Sequence, residues 1–128
     1  MSQYKHRQFA IIADGGTVSQ GDVTFVPIET LPAGARPARS SKGEFIAAHS
    51  ETGHHHIVDV TEAVMYEGSD PFRAYLVPAD GVHTIGVHHT RHDADHHRSI
   101  GLACPPGTIW EVRRQREFDP AGERRAAD

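Results

Sequence analysis

Residues 73–90, RAYLVPADGVHTIGVHHT, decide how the rest of the chain is read. Two runs rich in β-branched and aromatic residues, 73–78 and 82–90, are separated by Ala79-Asp80-Gly81. Short apolar runs bounded by Pro, Asp and Gly read as strands joined by turns. The Asp80-Gly81 break is a hairpin signal, lengthened by Pro78. The same grammar recurs on both sides. DVTFVPI, residues 22–28, is a strand with Val23, Phe25 and Pro27 on one face and Val26 and Ile28 on the other. Pro27 cannot donate to a ladder, so the strand ends or meets an edge there. EFIAAH (44–49), HHHIVDV (54–60), 63–67 and 99–103 follow as short strands, with Gly68-Ser69-Asp70-Pro71 and Pro105-Pro106-Gly107 as turns. TIWEVRRQREF, residues 108–118, is the longest late strand. Trp110, Val112 and Phe118 share a face with Arg114 and Arg116, so this strand is expected to leave the core as an edge or an arm.

Strands at this spacing, without an amphipathic helix, predict an all-β fold, a small barrel or sandwich. A chain of 128 residues suits one domain. Its expected parts are an N-terminal arm over 1–21, a β-rich domain over 22–118 and a polar C-terminal tail over 119–128. Residues 9–13 form a short strand within the arm. The loop LPAGARPARSSKG, residues 31–43, carries Arg36, Arg39 and Lys42 and is expected to be an exposed contact segment.

Composition narrows the function classes. The net charge of -4 gives no general footprint for nucleic acid. No run of 18 apolar residues offers a membrane span, and MSQYKHRQFAIIADGG is too polar for a signal peptide. The single cysteine, Cys104, excludes an internal disulfide and reads as a small buried hydrophobe, with the cytoplasm as default compartment. Residues 43–95 hold nine acids against Arg73 and Arg91. That acidic middle favours bound cations and protonated imidazoles.

The same middle holds the chemistry. Nine of the 11 histidines fall between 54 and 97, in the segments HHH (54–56) and RHDADHH (91–97) and near the 82–90 strand. On a strand His54 and His56 share a face, with Cα atoms about 7 Å apart. His92 and His96 are four apart, a spacing that one turn of helix or a tight loop brings to a single ion. These four residues are the expected ligands of zinc or another divalent transition metal. Asp93, Asp95 or Glu51 would supply oxygen for iron, manganese or nickel. A solvent-exposed histidine patch and a pH-sensitive interface are the plainer readings of the same residues. No C-x-x-C, H-E-x-x-H or EF-hand spacing is present. Glu51 is the general-base candidate if the metal holds a reactive water.

The order QGDVTFVPIETLPAG, GEFIAAHSETGHHH, HDADHH and PPGTIWEVRRQREFDP resembles a small family of bacterial and phage proteins. That family pairs a Gly-Asp-Val strand start with T-G-H-x-H, a later H-x-x-H and an R-Q-R-E-[YF]-x-P ending. T-G-H-x-H falls on Thr52 to His56, and the ending on Arg114 to Pro120. The later pair departs from the pattern, since HDADHH has a longer spacing and a spare histidine, His97. The resemblance implies a histidine site. Its phage side implies an assembly role, such as a minor capsid or head decoration protein, cytoplasmic during synthesis and then part of the virion. Such a protein would form a homo-oligomer or join a larger assembly through 1–21 and 31–43. A small metal-dependent enzyme on a cupin-like barrel is one alternative. A nucleic-acid adaptor using Arg113, Arg114 and Arg116 is another.

Overall fold

The computed structural model of the chain describes residues 11–13, 15–48, 55–89 and 99–114. Among these are eleven strands and no helix. In chain order the strands are β1 (Ile11–Ala13), β2 (Val18–Gln20), β3 (Val23–Ile28), β4 (Arg36–Pro37), β5 (Glu44–Ala48) and β6 (His56–Asp59). They continue with β7 (Ala63–Glu67), β8 (Arg73–Pro78), β9 (Thr84–His89), β10 (Ile100–Ala103) and β11 (Ile109–Arg114). One sheet runs β1-β10-β9-β6-β5, antiparallel except for β1, which lies parallel to β10 at the edge. The other runs β2-β3-β11-β8-β7-β4 and is antiparallel throughout. The sheets stay open and face one another as a sandwich, so the closed-barrel alternative does not hold.

The core forms because inward positions alternate along each strand. Val23 and Phe25 of β3, Trp110 and Val112 of β11, Leu76 of β8 and Met65 of β7 come from the six-stranded sheet. Val58 of β6, Ile85 and Val87 of β9, and Ile100 and Leu102 of β10 meet them from the other. Trp110 adds a polar tie between the sheets, its indole N–H donating to the Ala103 carbonyl at 2.9 Å.

Three expectations are corrected. Strands β8 and β9 do not pair with each other, because the chain crosses between sheets at Ala79-Asp80-Gly81. The physical reason is burial. Ala74, Tyr75 and Leu76 of β8, and Ile85 to His89 of β9, are buried in consecutive runs, and each strand takes two neighbours in its own sheet. Strand β11 is interior rather than an edge, paired with β3 on one side and β8 on the other. Its outward Glu111 is buried because Arg73 reaches it at 3.3 Å and Arg113 also pairs with it. Within the stretch expected as an arm, β1 and β2 are strands of the chain's own two sheets. Gln20 of β2 is buried in the core.

Other readings agree with the structure. Beyond Phe25, β3 has lost β2 as a neighbour, so Pro27 occupies a stretch paired only to β11. The loop after β3 closes at Lys42-Gly43, with φ of 55° and 81°, while Ser41 and Glu44 exchange both backbone hydrogen bonds. That is the left-handed pair a type I′ turn requires.

Replacing Trp110 by Phe keeps most of the apolar volume but strands the Ala103 carbonyl. The expected loss is about 1–3 kcal/mol in urea unfolding. Trp110→Ala should cost about 3–5 kcal/mol, while Val64→Ala, at an exposed position, should change stability by less than about 0.5 kcal/mol. Equal midpoints for Trp110→Ala and Val64→Ala would contradict this core.

Candidate functional site

The histidines divide between the faces of the five-stranded sheet by strand parity. His56 of β6 and His89 of β9 stand opposite each other in register and both point inward. Their rings meet edge to face, with centroids 4.6 Å apart. His88 points to the opposite face, where its Nδ1 meets the Ser99 hydroxyl at 2.8 Å. His83 is exposed.

Small residues make room for the inward rings. Strand β5 carries a bulge between Ile46 and Ala48, so that Ala48 rather than Ala47 stands opposite His56. Both alanines are buried. Bulges of this kind are frequent next to functional sites because they re-aim side chains.

The polar side of the site comes from the other sheet. Strands β2 and β3 are joined by Gly21-Asp22, with Gly21 at φ 61°. A glycine in the first position of a two-residue hairpin is what a type II′ turn demands. The turn sets Gln20 into the core and Asp22 at its rim. Gln20 Nε2 donates to the Val87 carbonyl at 3.1 Å, and its Oε1 lies 2.6 Å from His56 Nδ1. A carbonyl can only accept, so the Val87 oxygen fixes which end of the amide faces His56. An amide oxygen at Nδ1 requires the proton on Nδ1. In the neutral ring Nε2 is then the electron-pair donor, and it stands 3.7 Å from Asp22 Oδ1. His56 is only 1% exposed, whereas the Asp22 side chain is half exposed.

Of the residues expected to ligate metal, His56 is described, and His54, His92 and His96 lie outside the described residues, as does Glu51. Ala48 and His55 flank one undescribed segment, 49–54, and His89 and Ser99 flank the other, 90–98. Because His56 pairs with His89, both segments depart from the same end of neighbouring strands. Among the described residues no three His, Cys, Asp or Glu side chains gather closely enough to hold an ion. Sequence reasoning passed over Gln20, Asp22 and His89. His89 was within reach of strand parity, since it shares a face with Ile85 and Val87. Gln20 and Asp22 carried no local signal.

Other candidate groups behave as structural parts. The Ser99 and His88 side chains that pair are both buried. Cys104 is buried, its thiol donates to the Leu102 carbonyl at 3.2 Å, and burial pushes its pKa up. Arg113 pairs with Glu111, while Arg114 projects from the other face of β11 and lies 6.0 Å from the Phe72 ring. The two arginines therefore share no groove. A groove of about 620 Å³ runs past Arg36, Arg39, Glu44, Ile46 and Met65, and none of its described lining residues is a histidine.

Over residues 19–115 the sequence matches a domain of unknown function, DUF8820. The chain belongs to that family. The matched span contains Gln20, Asp22, His56, His88 and His89, together with both histidine-rich segments, and stops at the start of the R-Q-R-E-F ending. No curated protein and no solved structure matches the chain.

Removing the Gln20 amide should leave His56 Nδ1 and the Val87 carbonyl without this partner inside the core. Gln20→Ala measured in a metal chelator is expected to lose about 1–3 kcal/mol. Ser19→Ala, one residue away on the exposed face, should stay within about 0.5 kcal/mol of the parent. Identical unfolding curves for the two variants would remove the buried hydrogen-bond chain from the account.

Cys104 gives a pH prediction. Its folded-state pKa lies above the ordinary value of 9.0 because burial disfavours the thiolate. The folded state therefore holds this proton more tightly than the unfolded chain does. The associated stability is complete below the unfolded pKa and is lost as pH rises through it toward the folded one. Between pH 8 and 10 the parent should lose more stability than Cys104→Ala. Tyr75, also raised by burial and by Glu111, is common to both proteins, so its contribution cancels in the comparison. Parallel stability curves over that range would refute the assignment.

Proposed function

We propose that the protein is a structural assembly component in which a histidine-held divalent transition metal, zinc foremost, pins one end of the sandwich. Its fitting context is a phage particle, as a minor capsid or head decoration protein. The carrying observation is the state of His56. Its Nδ1 is held by Gln20 and its Nε2 is the electron-pair donor, the arrangement in which an outer-shell hydrogen bond orients a ligating imidazole. His54, His92 and His96 complete the proposed set, drawn from segments whose flanking residues lie on neighbouring strands. A closed set of four protein ligands suits a structural ion, and burial of His56 in the core favours that over an open catalytic position.

Sheet edges support the assembly half of the reading. Three of the four edge strands, β1, β2 and β4, come from the segments 1–21 and 31–43. Edges offer backbone groups to a second copy or to another subunit. Their shortness limits indiscriminate pairing, which suits a contact made only in a defined assembly.

Untagged protein should carry about one zinc per chain by elemental analysis, with affinity falling as pH drops toward about 5.5 because protons compete for imidazole. His56→Ala should lower the melting temperature further in saturating zinc than in chelator, unlike His6→Ala. Folded protein that takes up no zinc at micromolar concentration excludes the metal. For assembly, sedimentation should show oligomers that dissociate on Arg36→Glu/Arg39→Glu. A parent that stays monomeric at every concentration and attaches to no particle removes the assembly reading.

A further inference from the structure

We propose that the groove between β4 and β5 captures the C-terminus of an extended peptide, by strand addition at Ile46 and by Arg36 and Arg39 at the terminal carboxylate. The inference rests on the assembly reading above for its partner, a neighbouring subunit, and is independent of the metal. Strand β4 is an edge of the six-stranded sheet and β5 an edge of the five-stranded one. The groove that both line has a volume of about 620 Å³, within the range of sites that take a short ligand.

The backbone of β5 sets what can bind. The Val60 N–H donates to the Gly43 carbonyl at 3.0 Å. On an antiparallel ladder, N–H and C=O groups turn toward a given neighbour at every second residue. Gly43 and Phe45 therefore face β6, whereas Glu44 and Ile46 turn their backbone groups to the open edge. Glu44 bears this out, because it exchanges both of its backbone hydrogen bonds with Ser41. Ile46 is the next outward position, and it lines the groove. A peptide running antiparallel to β5 can exchange both bonds with it. Ser41 already occupies the edge at Glu44, so the added strand stops one residue beyond Ile46. A chain end meets that limit, whereas a passing strand has to turn away.

Charge at that stop favours a carboxylate. Arg36 stands opposite Glu67, which stands opposite the core residue Ala74, so Arg36 lies on the inward side of β4. The ion pairs of the described residues engage Arg73 and Arg113, and neither Arg36 nor Arg39 takes part in them. Guanidinium forks suit a carboxylate, and Ser40 and Ser41 add hydroxyls to the same wall. Glu44 and Glu67 also line the groove, which disfavours a polyanion such as nucleic acid and leaves room for one negative charge. The last residue of the peptide lies opposite Phe45 and shares its inward face, where buried Met65 forms an apolar floor. The ligand is thus a C-terminus ending in an aliphatic residue.

The test titrates full-length protein with three fluorescein-labelled probes. They are Gly-Ser-Thr-Ser-Thr-Val with a free carboxylate, the same peptide amidated, and an amidated Gly-Ser-Thr-Ser-Thr-Val-Asp-Gly. The free acid should bind saturably below about 1 mM and at least about tenfold more tightly than its amide. Arg36→Gln/Arg39→Gln should erase that difference and still melt like the parent, because both side chains are exposed. Amide exchange read by NMR should slow at Ile46 on binding and stay unchanged at Phe45. Equal affinity for acid and amide, or no saturable binding up to about 1 mM, overturns the proposal. Equally tight binding of the aspartate peptide overturns capture of a chain end in favour of an internal acidic segment. Binding without slowed exchange at Ile46 overturns strand addition. Peptide binding by a protein that sediments only as a monomer upholds the groove while the assembly reading falls. Oligomers that form without any peptide binding overturn the groove and leave assembly standing.

Discussion

An imidazole inside a hydrophobic sandwich must have its nitrogens answered, and the Gln20–His56 hydrogen bond is where this chain meets that demand. Leaving such a group unsatisfied costs about 1–3 kcal/mol, a sizeable share of the stability of a small domain. The bond therefore constrains more than two side chains. It needs β2 in place, the Gly21-Asp22 turn closed, and the Val87 carbonyl of β9 oriented to hold the amide. Strand β2 is only three residues long. Burial of Gln20 explains why so short a strand at a sheet edge is part of the fold.

The strands were legible where the chain alternates. The 73–78 and 63–67 strands match β8 and β7, and the face assigned to Val23 and Phe25 is the buried one, while β6 is buried on both faces. Topology was not legible to the same depth. A turn such as Ala79-Asp80-Gly81 reverses the chain equally well within a sheet or between sheets, because the local chemistry is the same. What separates the two cases is the set of neighbours that each strand finds, and that information is distant in sequence. Strand β11 shows the same limit. Glu111 can sit on an interior strand because Arg73, 38 positions away, supplies a partner.

At the candidate site, His56 was legible because repeated histidines are conspicuous. Its partners were not. Gln20 and Asp22 are ordinary polar residues at a turn, and their significance comes from a contact made across the core, 36 residues away for Gln20. Strand parity also separates histidines that composition lumps together. His88 and His89 are adjacent in sequence yet serve opposite faces, one meeting Ser99 and the other His56. A count of histidines therefore overstates how many can converge on one ion.

The placement of the site bears on what kind of protein this is. Among the described residues no histidine lines the groove past Arg36 and Met65, and Ser99 and His88 are buried. His56, by contrast, lies at the seam where two sheets end, with its ring in the core and Asp22 at the rim. Under the proposed reading, a cation bound there would act on the separation of the sheets. Its energy would be felt as rigidity at one end of the sandwich. The edge strand β2, which the proposed assembly uses, carries Gln20 of the same site, so the ion would also brace an edge that a neighbouring subunit meets. Under the proposed reading, metal binding and assembly are then two consequences of one constraint on the end of the fold.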